Sequence, residues 1–167
     1  AADQEGGIVV RIRDGVTVFP GAMALGATGS EEYAYQAGRV TGRELKALGI
    51  NMNFAPVLDV NNNAANPVIG VRSFGEDPAA VARLGTAFIR GLQAEGVAAT
   101  AKHFPGHGDT DTDSHIALPT VPHERARLDQ VELVPFRAAI EAGVDAIMTA
   151  HVTFPAVDPT PGLPAPL

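Results

Sequence analysis

The sequence predicts an α/β fold, a partial TIM-type (β/α) barrel. Three observations predict it. A unit of helix, stop glycine, apolar strand and long loop recurs, with Gly49, Gly96 and Gly143 spaced evenly at 47-residue intervals. Polar residues recur where the strands end, at Asp59, at Lys102 with His103, and at His151, and barrels of this type carry their chemistry at that end. The long loops all follow strands, and no glycine-rich dinucleotide loop indicates an open doubly wound sheet. Alternating strands and helices imply parallel pairing with right-handed crossovers. A complete eightfold barrel takes about 250 residues, whereas this chain of 167 shows three whole strands and a stub at Asp3. The expectation is one unit, residues 1–167, forming about half of a barrel domain. A small self-contained α/β domain with a flexible tail is the alternative.

The chain opens on Asp3-Gln4-Glu5-Gly6-Gly7, a paired-glycine turn of the kind that normally follows a strand. By itself Asp3 reads as a turn-capping carboxylate. Ser30-Glu31-Glu32 sets an N-cap serine and first-turn acids ahead of an amphipathic helix to about residue 48, which Gly49 stops. Residues 50–60, rich in β and apolar positions, read as a strand. A polar loop over 61–67 leads to Arg72, whose rigid donor fork suits sugar hydroxyls or a carboxylate; a salt bridge between loops is the plainer reading. Asp77 caps a second helix with Pro78 at its first position, and Gly96 stops it. Residues 96–101 are a short apolar strand feeding straight into Lys102 and His103. A third helix over 128–142 is kinked or divided by Pro135, and a strand follows over 144–150. Pro155, Pro159, Pro161, Pro164 and Pro166 make an extended or turn-rich tail.

Composition narrows the function classes. With 46% hydrophobic and 19% charged residues the chain is globular and able to form a sizeable core. A formal net charge of −7 argues against nucleic acid or an anionic membrane surface as partner. The absence of cysteine removes disulfides, thiol catalysis and cysteine metal sites, and leaves the compartment open. No apolar run approaches the roughly 18 to 20 residues of a membrane span. No signal-peptide pattern opens the chain, which begins on a motif, so its natural start is expected upstream.

The stretch from Lys102 to His115 carries the chemistry. It packs a lysine, three histidines and three aspartates into a segment that Pro105, Gly106 and Gly108 keep from becoming helix. Asp113 and His115 stand two apart, which in an extended segment puts both on one side, about 7 Å apart along the chain. A carboxylate so placed accepts the imidazole N–H and fixes its tautomer, making His115 a general acid/base. Two other readings remain: a solvated acidic turn, and a divalent-metal site built from His103, His107, Asp109 and His115. The metal reading is weakened by the lack of an H-E-x-x-H spacing; no metal and no cofactor is expected.

The run Lys102-His103-Phe104-Pro105-Gly106-His107-Gly108-Asp109-Thr110, closing on Asp113-Ser114-His115, resembles the signature of family 3 glycoside hydrolases, specifically the bacterial β-N-acetylglucosaminidases. The similarity extends along the chain through Asp3-Gln4-Glu5-Gly6-Gly7, residues 49–59, Arg72-Ser73-Phe74-Gly75 and residues 146–151. The resemblance implies substrate contacts at Asp3, Arg11, Arg72, Lys102 and His103, with His115 as acid/base and Asp113 as its partner. It also implies the N-terminal barrel domain of that family, here incomplete. The sequence departs from the family at Ile8, where arginine is usual. The implied activity is retaining hydrolysis of terminal N-acetyl-β-glucosaminides from peptidoglycan or chitin fragments, the partner being an N-acetylglucosamine-containing saccharide. Phosphorolysis is open as well, since a histidine acid/base does not repel phosphate. The family's nucleophile, an aspartate on a later strand, has no match here, so the rest of the barrel is missing and the isolated segment is expected to turn over little or not at all. A β-glucosidase of the same family, a metal-dependent hydrolase and a non-catalytic sugar-binding protein are the alternatives.

Overall fold

The structure, a computed structural model, describes residues 1–112 and 118–164. In chain order it runs β1 (Gln4–Gly6), β2 (Val9–Val10), α1 (Ala22–Thr28), α2 (Glu31–Ala47), β3 (Met52–Asn53), a 3₁₀ turn (Gly70–Arg72), α3 (Pro78–Ala94), β4 (Ala98–Phe104), α4 (Arg125–Gln130), α5 (Val134–Glu141) and β5 (Ala146–Thr149). Strands β3, β4 and β5 form a parallel sheet in sequence order, and a parallel bridge from Ala2 to Asn53 adds the start of the chain beside β3. Consecutive neighbours joined by helical crossovers are the repeat of a TIM-type barrel, of which the described residues form an open part.

The helices form where local signals place them. The Ser30 side chain accepts the Tyr33 N–H at the start of α2, and Asp77 accepts the Ala79 N–H at the start of α3, with Pro78 in its first turn. Gly49, Gly96 and Gly143 all adopt positive φ, between 73° and 78°, which only glycine adopts without steric cost. Helix α2 buries Ala34, Ala37, Gly38, Thr41, Gly42 and Leu45, a stripe at helical spacing. This stripe lies so close on α3 that a Cβ at Gly38 would meet the Phe88 carbonyl oxygen at 2.2 Å. The core lies between these helices, α5 and the sheet, with Leu45, Leu58, Leu84, Ile89, Leu92 and Phe136 fully enclosed.

Three boundaries differ from the sequence expectation. The strand over 50–60 is regular only at Met52–Asn53, because Pro56 has no N–H to give the ladder. The segment still runs beside β4, where the Thr100 and Lys102 N–H groups donate to the Ala55 and Pro56 carbonyls at 3.0 and 3.2 Å. Strand β4 continues to Phe104, so Lys102 and His103 lie within it rather than after it. The third helix begins at Arg125 rather than 128 and, as Pro135 led us to expect, is divided, into α4 and α5, with Pro135 in the first turn of α5 where a missing N–H is tolerated. The β1–β2 hairpin and helix α1 were not expected. The latter has no side-chain cap at Gly21 and no charged residue in its end turns. The Lys102–His103, Ala55–Pro56 and Phe104–Pro105 peptides are cis.

Candidate active site

Short elements at one end of the sheet bring the polar residues together. Along Asp3-Gln4-Glu5, where the chain enters β1, alternation turns Asp3 and Glu5 to one side and Gln4 to the other. Gln4 is buried and fastens the hairpin. Its backbone exchanges hydrogen bonds with the Asn53 side chain at 2.9 and 3.0 Å, and its side-chain oxygen accepts the Arg11 and Ile12 N–H groups. Asp3 and Glu5 are thereby set over Lys102, whose Nζ lies 2.6 Å from Asp3 Oδ1 and 2.6 Å from Glu5 Oε1. Arg72, presented by the 3₁₀ turn, donates Nε and Nη2 to the two Glu5 oxygens, each at 2.9 Å. Burial works against the Arg72 charge, but the Glu5 hydrogen bonds and charge outweigh it and hold its pKa above the ordinary value. Two carboxylates and two cations thus form one neutral, largely buried array, the arrangement in which charges tolerate desolvation.

Behind this array stands Asp59, completely buried. Its Oδ2 lies 2.7 Å from His103 Nδ1, while Oδ1 accepts the backbone N–H of His103 at 3.2 Å and of His107 at 2.7 Å. Burial favours the neutral acid, yet the His103 imidazole and these N–H donors overcome it and hold the carboxyl below its ordinary value of 3.8. His107 is buried beside it, its ring edge-on to that of His103 and its Nδ1 2.7 Å from the Thr110 hydroxyl. Asn66, from the polar loop over 61–67, donates to the His107 and Gly108 carbonyls at 2.8 and 3.1 Å.

Burial, reinforced by the His103 ring and Arg72 against the opposing Asp59 charge, lowers the His107 pKa below its ordinary value of 6.5. The folded chain therefore binds this proton less well than the unfolded one. The stability so linked is fully present above about pH 6.5 and is lost as pH falls below it. The depressed Asp59 adds a loss at lower pH, as the medium passes through its folded-state value. The urea midpoint is expected to be level above pH 7 and to fall below 6.5, with His107→Gln removing the first part of the fall. A midpoint that rises between pH 6.5 and 5 would contradict this.

All five residues expected to contact substrate, Asp3, Arg11, Arg72, Lys102 and His103, line one cavity of about 370 Å³. Glu5, His107 and His151 line it too. Of the residues that complete the site, Glu5 was not singled out from the sequence, Asp59 was read only as a polar strand end and His107 only as a possible metal ligand; the signal for Glu5 was the Asp-x-Glu alternation at Asp3. Asp113 and His115, the expected acid/base pair, lie outside the described residues. The residues of the alternative metal reading turn to different partners: His103 to Asp59, His107 to Thr110, and Asp109 to His123 Nε2 at 2.5 Å. Asp109, His123 and Glu132 do converge. The Arg127 guanidinium already supplies a positive charge there, 3.2 Å from Glu132 and 3.9 Å from Asp109.

Donors and acceptors alternating around a cleft of this size suit a polyhydroxyl ligand. The model of the glycosyl hydrolase family 3 N terminal domain matches residues 1–166. The chain belongs to glycosyl hydrolase family 3. Similar curated relatives include beta-hexosaminidase A of Pseudoalteromonas piscicida, 50% identical over 95% of this chain and 27% of that protein. The beta-hexosaminidase of Pseudomonas aeruginosa strain LESB58 is 44% identical over 96% of this chain and 48% of its own length. Among solved structures, a glycoside hydrolase family 3 beta-N-acetylglucosaminidase from Paenibacillus sp. str. FPU-7 superposes with a TM-score of 0.95 at 68% identity, over 97% of this chain and 31% of that one. NagZ from Neisseria gonorrhoeae, in complex with N-trifluoroacetyl-D-glucosamine, gives 0.87 at 43% identity, over 93% and 48%. This family 3 chain therefore spans half or less of the length of these relatives.

Proposed function

We propose that the chain supplies the sugar-binding cavity and the acid/base loop of a retaining β-N-acetylhexosaminidase. Its substrates are terminal non-reducing N-acetyl-β-glucosaminides of peptidoglycan or chitin fragments. The observation that carries this is the convergence of Asp3, Arg11, Arg72, Lys102 and His103, far apart in sequence, on one cavity at the end of the parallel sheet. The names of the relatives support the sugar and the reaction.

In this reading residues 1–167 are an incomplete family 3 barrel domain. Asp3 accepts from a sugar hydroxyl while Lys102 donates to its neighbour, and Arg72 and Arg11 add further donors. His115, oriented by Asp113, protonates the leaving oxygen and later takes a proton from the attacking water. The carboxylate nucleophile of the retaining reaction comes from outside the segment. The test compares 4-nitrophenol release by the full gene product from the N-acetyl-β-glucosaminide and the β-glucoside. Release from the N-acetyl sugar at least tenfold faster in kcat/KM is expected. Equal rates, a preference for the glucoside or no release from either overturns the assignment.

A further inference from the structure

We propose that Asp59 is a positioning residue that keeps the proton of His103 on Nδ1, leaving Nε2 as a hydrogen-bond acceptor in the cavity. The inference rests on the reading of the cavity as a sugar site.

Asp59 is fully enclosed and accepts two backbone N–H groups, those of His103 and His107, on Oδ1, while its Oδ2 lies 2.7 Å from His103 Nδ1. A carboxylate surrounded by donors is ionised and can only accept. The ring nitrogen 2.7 Å from it therefore carries the proton, and the tautomer of a neutral imidazole is fixed by the bond its other nitrogen makes. Among the described residues no hydrogen bond engages His103 Nε2, and the ring lines the cavity.

The consequence is one of polarity. Lys102 and Arg72 present only donors to the cavity, and Asp3 is already engaged by Lys102. His103 Nε2 then supplies an acceptor that no salt bridge occupies. A sugar hydroxyl satisfies both kinds of group, donating to Nε2 and accepting from a neighbouring cation. A fluoro or methoxy group in its place can only accept and leaves Nε2 unpaired. Asp59 touches no substrate; it sets which way this hydrogen bond runs. In Asp59→Asn the amide NH₂ can face Nδ1 and drive the proton to Nε2, reversing the polarity at the cavity without changing the shape of the site.

Two measurements on the full gene product test this. With ¹⁵N-labelled histidine rings, and His103 assigned by its loss in His103→Gln, two-bond ¹H–¹⁵N correlations near pH 8 report the tautomer. Wild type is expected to show a protonated Nδ1 and a bare Nε2, and Asp59→Asn the reverse or a mixture. For kinetics with the 4-nitrophenyl N-acetyl-β-glucosaminide, Asp59→Asn is expected to lower kcat/KM about tenfold, chiefly through KM. In the His103→Gln background it is expected to cost nothing further. Wild-type His103 protonated on Nε2 overturns the proposal, and that readout survives a failure of Asp59→Asn to fold. An equal loss in both backgrounds also overturns it, since that is what a merely structural Asp59 would give. Absence of any nitrophenol release by wild type strikes the glycosidase assignment instead, and the tautomer measurement stands apart from it.

Discussion

Replacing His115 by alanine in the full gene product is expected to lower kcat/KM on N-acetyl-β-glucosaminides by about 10²- to 10⁴-fold, the span that one positioned acid/base contributes. The loss should depend on the leaving group. An alkyl or sugar alkoxide needs a proton as the glycosidic bond breaks, whereas 4-nitrophenolate departs readily without one, so the first half of its reaction hides part of the defect. Chitobiose hydrolysis is therefore expected to suffer more than nitrophenol release. Asp113→Asn is expected to fall in the same direction by a smaller factor, because the imidazole remains but its orientation and tautomer are no longer held. Steady-state kinetics on the two substrates decide the matter. A His115→Ala enzyme within threefold of wild type on chitobiose would remove His115 from the chemistry.

Replacing Lys102 by alanine is expected to destabilise the chain by about 3–5 kcal/mol, the cost typical of breaking a buried ion pair by removing one partner. The Lys102 side chain is only 3% exposed and that of Glu5 6%. The ammonium is shared between Asp3 and Glu5 at 2.6 Å each, so its loss leaves two carboxylates facing each other with only the Arg72 fork as compensation. Lys102→Ala together with Glu5→Gln should recover part of the loss, since it removes the uncompensated charge. Urea denaturation of the two variants measures both effects. A single variant as stable as wild type would contradict the buried array, and a double variant no better than the single would assign the cost to lost packing instead.

What could be read from the sequence depended on how local the cause was. The starts of α2 and α3 were legible because Ser30 and Asp77-Pro78 act on N–H groups within the next three residues. The glycine stops were legible because a helix end needing positive φ admits few other residues. The strand over 50–60 was overextended because apolar and β-branched content outweighed the one residue, Pro56, that cannot join a ladder. Of the site, the five cavity residues expected from the resemblance were gathered together, while Asp113 and His115 lie outside the described residues. Glu5 was passed over because the Asp-x-Glu alternation shows only that it shares a side with Asp3, not what it pairs with. Its partner Arg72 stands 67 residues away, and only the hairpin that Gln4 fastens to Asn53 brings the two into contact. Asp59 was seen as a polar strand end, but its pairing with His103 depends on register between neighbouring strands, which composition does not encode.

In the proposed function, the cavity lined by Asp3, Lys102, Arg72 and His103 holds the sugar. A crystal structure of the full gene product soaked with N-acetylglucosamine tests it most directly. The expected result is a single pyranose ring in the cavity, with hydroxyl oxygens within hydrogen-bond distance of Asp3, Lys102 and Arg72 and of Nε2 of His103. A ring bound elsewhere, with these four side chains untouched, would contradict it.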